Sequence, residues 1–468
     1  MAAFGAHVLL AFGLLLPAGC VRFQPQPLSP ANTAAELESR SLTNATLKIF
    51  LEKNLQREFE PWPPPTWDFE TLTLAAFYYH PSLEVARADW QVATAGKTTA
   101  AERPNPTVTQ NLAYEPVKDA FSPWIPGLTF DLPLETAGKR RKRMEQAQHV
   151  AEAARYNVAT AAWQVRSGLR ASLLDFIAAQ ARLELVSQQL GLREELVRRL
   201  TLQLQAGAIS AFDLNTARLA LLRARADVAD AERLAGEARP RLAQALGVPV
   251  AGLEGAQFQF DLGTVVVENL TTPEARTTAL QGRADILSAL ADYGTSQSAL
   301  QVEVAKQYPD VHLTPGYMWN AGSTGENDWQ IGATVELPLL NQHRGAIAEA
   351  TARRNASAAR FLALQARVIG EIDTALASFA ANRTNAATLD ALVRAQANQQ
   401  QALTEQLKAG AVDRLEVLTS GLELNAAELT RLDAQIKIQQ AIGALEDALQ
   451  RPFELPKAVF ETRRDQAR

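Results

Sequence analysis

Apolar residues and alanines recur at helical spacing over most of this chain, and in four short segments they alternate with polar residues instead. In the first of these segments, Val108, Leu112 and Tyr114 share a face that only Gln110 interrupts. The alternation predicts strands at 106–114, 127–134, 310–319 and 329–338. The helical spacing predicts very long helices at 138–205, 212–246, 343–408 and 415–450. Helices of this length are typical of coiled coils and bundles.

The same order of elements occurs twice at a nearly constant distance along the chain. The segment Gln205–Leu214 reads QAGAISAFDL, and Lys408–Val417 reads KAGAVDRLEV 203 residues later. Pro106 is matched by Pro309 at the same distance, and a Leu-Pro-Leu ends the second strand of each copy. Each Ala-Gly-Ala interrupts a helical pattern, so we interpret it as a tight turn between antiparallel helices. The chain is therefore predicted to contain two copies of one unit, each with a helix, a strand pair, a very long helix, a turn and a helix.

Proline clusters and losses of periodicity mark the predicted domain boundaries. Repeat 1 is assigned to 71–250 and repeat 2 to 273–452, with an inter-repeat linker at 251–272 and a C-terminal tail at 453–468. Residues 21–70 are interpreted as an N-terminal linker, because prolines at its two ends stiffen the chain and interrupt helix.

The N-terminus has the pattern of an export signal. The apolar run Val8–Leu16 is short for a membrane span and is followed by Pro-Ala-Gly-Cys, ending at Cys20. This resembles the cleavage site of bacterial lipoproteins, which implies a lipoprotein-type signal at 1–20 and lipidation of Cys20. The alternative is a signal peptide that is removed without lipidation. Cys20 is the only cysteine, so no internal disulfide can form.

The charge distribution excludes one class of partner and leaves one basic run to explain. A net charge of -5 argues against nucleic-acid binding, which usually requires a clustered basic surface. The run Lys139–Arg143 is interpreted as a solvated helix face, and contact with anionic groups at the inner leaflet is the alternative. Elsewhere no apolar run approaches the ~20 residues of a spanning helix, so membrane insertion would require a closed barrel or the lipid.

The strand faces favour a barrel wall. One face carries aliphatic and aromatic residues, as a lipid-facing surface does, and the other carries polar residues, as a watery lumen does. Four strands are too few to close a barrel around a lumen. The chain is therefore predicted to oligomerise, with three copies supplying twelve strands.

Taken together, these features resemble the TolC-type outer-membrane efflux proteins. The resemblance covers about residues 72–452 and includes the His-Pro-Ser-Leu opening at His80, the Pro-x-Val at each first strand, the two Leu-Pro-Leu segments and the two Ala-Gly-Ala turns. It implies an α+β membrane protein that is a homotrimer, with a 12-stranded β-barrel in the outer membrane continued by a periplasmic α-helical barrel. It also implies an exit duct that joins a periplasmic adaptor and an inner-membrane pump, expected to be of the resistance-nodulation-division type.

The resemblance also assigns expected roles at the two turns. The adaptor-docking candidates are Gly207, Ala208, Ile209, Gly410, Ala411 and Val412. The alternative is that the two glycines only end a helix. The candidates for a periplasmic gate are Asp213, Asp413, Arg414 and Glu416. Here the alternative is that first-turn acids stabilise helix N-termini, which we favour for Asp213, whereas Glu416 is the preferred gate residue.

Two rival classes of function are weaker. No phosphate loop, His-Glu-x-x-His, Gly-x-Ser-x-Gly or cysteine cluster is present, so we expect no enzyme activity and no cofactor. His312 and Met318 face the predicted lumen, but they are too few to indicate a metal site. A structural periplasmic coiled-coil protein would explain the helices but not the paired strands or the signal. The sequence does not specify whether the transported substrate is a drug, a metal ion or a protein.

Overall fold

The computed structural model of the chain describes residues 22–114, 116, 123–263, 272–319 and 327–453. The predicted signal with Cys20 and the tail beyond Phe453 lie outside these residues. The helices and strands follow each other in this order: α1 (Pro30–Glu38), α2 (Ala45–Leu55), α3 (Phe69–Tyr79), α4 (Pro81–Ala101), β1 (Thr107–Tyr114), β2 (Trp124–Leu134), α5 (Lys139–Gln205), α6 (Ala211–Leu246), α7 (Thr272–Gly282), α8 (Ala284–Ala305), β3 (Val311–Trp319), β4 (Asn327–Val335), α9 (Arg344–Lys408) and α10 (Arg414–Leu449).

The four strands form one antiparallel sheet in the order β1-β2-β3-β4. Thr107 lies opposite Asp131 in the first pair, and Leu134 lies opposite Val311 in the second, which joins the two repeats. Strand β2 begins three residues before the predicted 127, and β4 ends at Val335 instead of 338. Strands β1 and β4 lie at the two edges of this sheet.

The long helices form two antiparallel pairs, α5 with α6 and α9 with α10. Helix α5 also packs against α4, α8 and α10, so it contacts both repeats. Helix α6 continues through Pro240 to Leu246. Among the described helices, none combines the length and the apolarity that crossing a membrane would require.

The proline-rich segment that we interpreted as a linker is packed into the largest core of the described chain. It holds α1 and α2, and Leu47, Leu51 and Trp67 have exposed fractions of 0%, 0% and 1%. Trp67 donates a backbone hydrogen bond to Gln257 at 2.8 Å, so this segment is also tied to the chain between the repeats. The prolines correctly predict interruptions of helix, but burial of the residues between them depends on partners distant in sequence.

The basic run Lys139–Arg143 fastens the sheet to the long helices, which corrects the interpretation of this run as a solvated face. The Lys139 ammonium lies 2.8 Å from an Asp310 carboxylate oxygen, just before β3. Arg140 donates to the last carbonyl of α4 at 2.6 Å, and Arg143 forms an ion pair with Glu135. These three side chains therefore connect the start of α5 to the end of α4 and to the residues beside β2 and β3.

A buried ion cluster joins α5 of repeat 1 to α10 of repeat 2. Glu446 is 1% exposed, and its two carboxylate oxygens accept from Arg166 at 2.9 and 3.2 Å. Arg170 donates to the same carboxylate at 3.3 Å and to Gln439 at 3.0 Å. Because the bidentate Arg166 contact has a fixed geometry, it sets the axial position of α10 on α5.

The neighbouring carboxyl group, Asp447, extends this contact. It accepts from the Trp163 indole at 2.8 Å and from the Ser167 hydroxyl at 2.6 Å. Burial raises the pKa of Asp447, and the two donors oppose that rise by stabilising its charged form. Consecutive residues of α10 therefore bind the same face of one segment of α5, since the four α5 partners have i, i+3, i+4, i+7 spacing.

Replacing Glu446 with Gln should lower the free energy of unfolding by about 3–5 kcal/mol, because two buried guanidinium groups lose their counter-charge. Asp433→Asn is the matched control, since Asp433 pairs with Arg182 between the same two helices but its side chain is 45% exposed. The control should change stability by only about 0–1 kcal/mol. Denaturant unfolding followed by helical circular dichroism measures both. Equal effects of the two substitutions would contradict the assignment.

Candidate docking and gating turns

The first turn is built by backbone hydrogen bonds around one glycine. After α5 ends at Gln205, Gly207 has a φ of 72°, in the left-handed region. The Ala208 amide donates to the Gln203 carbonyl at 2.8 Å, and the Gly207 amide donates to Leu204 at 3.0 Å. This pair of bonds is a Schellman motif, which satisfies carbonyls at the helix C-terminus and reverses the chain.

The second turn repeats this geometry. Gly410 has a φ of 73°, the Ala411 amide donates to Gln406 at 2.9 Å, and the Gly410 amide donates to Leu407 at 3.0 Å. A Cβ added to either glycine would meet no heavy atom within 4 Å. Glycine is therefore required by the backbone conformation and not by lack of space.

The acid that follows the first turn is part of a helix cap. The Asp213 amide donates to the Ser210 hydroxyl at 3.2 Å, and an Asp213 carboxylate oxygen accepts from the Ser210 amide at 3.1 Å and from its hydroxyl at 2.7 Å. The hydrogen bond from the Ser210 hydroxyl lowers the pKa of Asp213. The capping interpretation of Asp213 therefore has a complete geometric basis in this reciprocal capping box.

The second turn has two acids, Asp413 at the cap and Glu416 in the first turn of the helix. Asp413 is the N-cap of α10, and its carboxylate accepts from the Glu416 amide at 2.9 Å. Glu416 is exposed in the first turn of α10. Arg414 is exposed beside it, and its charge contributes to lowering the pKa of Glu195 on α5, after the hydrogen bond from Arg199, which is the largest cause. The predicted gate residues of this turn thus lie on the surface, close to the end of α5.

The two helix pairs meet near their turns. A Cβ added to Gly421 of α10 would lie 3.3 Å from Gln400 of α9 and 3.6 Å from Leu192 of α5. The Asn425 amide group donates to the Leu185 carbonyl of α5 at 3.0 Å. The structure therefore places both turns at the same end of the helices.

The docking candidates differ in exposure. Gly207, Ala208, Gly410 and Ala411 are exposed, whereas Ile209 and Val412 are half-buried. An additional apolar residue, Phe212, is 78% exposed beside the first turn. The repeat does not single out Phe212, which lies inside the repeated segment; its counterpart in the second copy, 203 residues later, is the aliphatic Leu415. The sequence does contain a signal for Phe212, because an aromatic residue occurs at this position in only one of the two copies.

The described part of the chain contains no group of three or more His, Cys, Asp or Glu side chains that could hold a metal ion. His312 lies on β3, and its Nδ1 atom is 3.0 and 3.1 Å from the two carboxylate oxygens of Asp131 on β2. This is a diagonal cross-strand contact between the repeats, since the residue directly opposite His312 is Pro133.

Comparisons with known proteins agree with this arrangement. A model of the outer membrane efflux protein family matches residues 76–248 and 275–450. The cobalt-zinc-cadmium resistance protein CzcC of Cupriavidus metallidurans is 24% identical over 322 residues, which cover 69% of this chain and 76% of that protein. The pyoverdine export outer membrane protein OpmQ of Pseudomonas aeruginosa is 25% identical over 351 residues, which cover 69% of this chain and 71% of that protein. The solved structure of the outer-membrane channel OprN has a TM-score of 0.67 at 19% identity, covering 92% of this chain and 98% of that chain.

Gly207→Ala should weaken the first turn by roughly 1–2 kcal/mol, because a Cβ is unfavourable in the left-handed conformation. Hydrogen-exchange mass spectrometry should then show faster exchange of the peptide containing the Ala208 amide, by roughly 5–30-fold. Gly191→Ala within α5 is the control, because it also meets no atom within 4 Å but has helical geometry. That change should stabilise the helix by roughly 0.5–1 kcal/mol. If both changes affected exchange in the same direction, the turn geometry would not be the cause.

Proposed function

We propose that this chain, which belongs to the outer membrane efflux protein family, forms the outer-membrane exit duct of a tripartite efflux or export system. The duct is a passive trimeric channel that docks a periplasmic adaptor and an inner-membrane pump. The observation that carries the proposal is a four-stranded sheet with two edge strands, β1 and β4, joined to two helical hairpins. The turns of both hairpins lie at the end of the helices opposite the sheet.

The sheet supports a shared barrel. Its edge strands β1 and β4 carry unpaired backbone groups, which cannot remain unpaired within a bilayer. Pairing β4 of one copy with β1 of the next removes both edges, and three copies of the four-stranded sheet give a closed 12-stranded barrel. The exposed apolar residues of the strands, such as Trp329 and Ile331 at 82% and 86%, supply a lipid-facing surface.

The helices support a periplasmic extension. Helix α5 has 67 residues, which corresponds to roughly 100 Å and exceeds the thickness of a bilayer about threefold. In the trimer, the first turn (207–209) and the second turn (410–412) of each copy form the mouth that docks the adaptor. Exposed glycines and alanines there permit close approach of a partner backbone. The pump that the adaptor serves is proposed to be of the resistance-nodulation-division type.

The acids at the mouth support a charge-sensitive gate. Three copies of an exposed carboxylate around one axis attract cations and repel each other. Asp413, Arg414 and Glu416 are the gate group of the second turn, with Glu416 preferred because Asp413 already serves as a cap. Asp213 contributes to helix capping first and to the mouth second.

The pump, and not the duct, is proposed to select the cargo, because a passive duct does not discriminate among the molecules that pass through it. One relative is named for cobalt, zinc and cadmium resistance and another for pyoverdine export, which is compatible with one duct architecture serving different pumps. The mature chain is proposed to reside in the outer membrane, anchored by lipid at Cys20, and to extend into the periplasm.

Conductance in planar bilayers tests the duct and its gate together. Purified trimers should conduct with a preference for cations, and Glu416→Gln should reduce that preference, measured as a shift in reversal potential under a salt gradient. Asp213→Asn is the comparison variant, since its carboxylate is engaged with Ser210, and it should shift the reversal potential less than Glu416→Gln does. A protein without conductance would be a structural coiled-coil protein. Unchanged selectivity in Glu416→Gln would remove the gate role alone.

Lipidation is tested by Cys20→Ser. Cys20 is the only cysteine of the chain, so incorporation of labelled palmitate should be lost completely. The variant should still fractionate with the outer membrane, because the barrel inserts independently of the lipid. Retention of the label would exclude Cys20 as the modified residue.

A further inference from the structure

Three glycines lie on the polar face of the sheet, which faces the lumen in the proposed barrel. Gly127 is on β2, Gly316 is on β3 and Gly332 is on β4. Each follows or precedes a residue of the apolar face, so the alternation of the strand directs it to the polar side. Glycine inside a strand weakens the strand and marks a place where another group approaches the backbone closely.

Each of these glycines stands directly opposite a larger residue of a neighbouring strand. The three pairs are Gly127 with Met318, Gly316 with Gln330 and Gly332 with Thr314. Gly127 and Gly332 are also equivalent in the two repeats, because 205 positions separate them, as they separate the two Leu-Pro-Leu segments. The pairing of a glycine with a larger residue therefore occurs in both halves of the sheet.

Gly316 is covered by side chains of both neighbouring strands. A Cβ added there would lie 2.8 Å from the side-chain nitrogen of Gln330 on β4 and 3.2 Å from the hydroxyl oxygen of Thr129 on β2. Unbonded carbon atoms pack at about 3.5–4.0 Å, so the Gln330 side chain would have to move. Gly316 is buried, although it lies on the polar face. The Gln330 side chain thus lies across the position that a Cβ would occupy.

The other two glycines receive side chains of β3. A Cβ on Gly332 would lie 2.5 Å from the Thr314 hydroxyl oxygen, and a Cβ on Gly127 would lie 3.3 Å from Cγ of Met318. None of the three sheet glycines has a positive φ, unlike the glycines of the two turns. Space, and not backbone conformation, therefore accounts for glycine at these positions of the sheet.

Glycines and larger residues alternate along β3. Thr314, Gly316 and Met318 follow each other on its polar face, and each is opposite a residue of the other kind on β2 or β4. Cβ atoms of directly opposite residues are about 4.5–5.5 Å apart, so two full side chains at one pair would have to project away from the sheet. A glycine at one member of the pair lets the other side chain lie along the sheet instead.

We infer that Gly127, Gly316 and Gly332 are recesses in the inner wall of the barrel, and that they set the width of its lumen and the size of the largest cargo that passes it. The three copies of each glycine lie at one height around the axis of a symmetric trimer, so a side chain added at one position narrows the lumen from three directions. The inference rests on the proposed trimeric duct and assigns the size limit of its barrel to residues without a side chain.

Exchanging the two members of a pair tests the recesses. Gly316→Gln alone places two glutamines opposite each other, whereas Gly316→Gln with Gln330→Gly moves the recess to β4 and keeps the composition of the pair. Gly332→Thr, alone and with Thr314→Gly, gives a second set. Ala333→Leu is the matched control, since Ala333 follows Gly332 in β4 and lies on the opposite, apolar face.

The size limit is measured with polymers in planar bilayers. Purified trimers are added to one compartment, where the helices remain because roughly 100 Å of helical barrel does not cross the bilayer. Poly(ethylene glycol) of graded size is added to the other compartment, so that it enters the lumen from the sheet end before it reaches the turns. Polymers that enter the barrel lower the conductance, and the smallest polymer without effect gives the cut-off.

Gly316→Gln and Gly332→Thr should each shift the cut-off to smaller polymers, each exchange should restore the original cut-off, and Ala333→Leu should leave it unchanged. Conducting trimers with an unchanged cut-off in both single variants would overturn the recesses and leave the duct intact. If a single variant gives no trimers, its exchange decides: trimers with the original cut-off support the recess, whereas loss of trimers in both exchanges overturns it, because glycine would then be required by the backbone. An unsubstituted protein without conductance would overturn the duct and the recesses together.

Discussion

The buried carboxylate of Glu446, held between Arg166 and Arg170, fixes the relation between the two repeats. A buried ion pair adds little net stability compared with apolar residues of the same volume, because desolvation offsets the Coulomb attraction. Its geometric demand is strict, however, since a shift of one helical turn would separate these charges in a low-dielectric interior. Two helices rich in alanine and leucine could shift along each other with only a small loss of packing energy. The contact of Glu446 with the two arginines opposes such a shift. The positions of the two turns and of the strand pairs relative to each other along the helix axes depend on that register.

The class of fold could be predicted from local signals. Helical spacing, the alternation in the strands and the repeated offset of 203 residues predict a mostly helical chain with two strand pairs, and the structure contains these elements, with the four strands joined in one sheet. These signals succeed because each is read within a few residues: a glycine at a left-handed position ends α5, and Ser210 begins α6. The same locality explains why strand ends were less accurate. Where β4 ends depends on a neighbouring strand, and sequence patterns do not specify that neighbour.

Contacts between distant residues were not predictable in this way. Lys139 forms an ion pair with Asp310, 171 positions later in the sequence, and Arg166 forms one with Glu446, 280 positions later. In the sequence these residues look like the charged positions of solvated helices, because charge alone does not reveal a partner. The interpretation of residues 21–70 as a linker was wrong for a related reason. Its prolines signalled interruptions of helix, whereas burial of Leu47 and Trp67 requires a core that residues far along the chain complete.

The difference between the two turns follows from the chemistry of one position. Ser210 is a hydroxyl, which accepts from the Asp213 amide and donates to the Asp213 carboxylate, so the acid is held as a partner of the cap. At the matched position the second repeat has Asp413, whose carboxylate accepts from the Glu416 amide but, when ionised, has no proton to donate. The hydroxyl that holds the Asp213 carboxylate in the first turn therefore has no equivalent here, and Glu416 is exposed. The second turn therefore leaves exposed a carboxylate whose counterpart in the first turn is used to begin the helix.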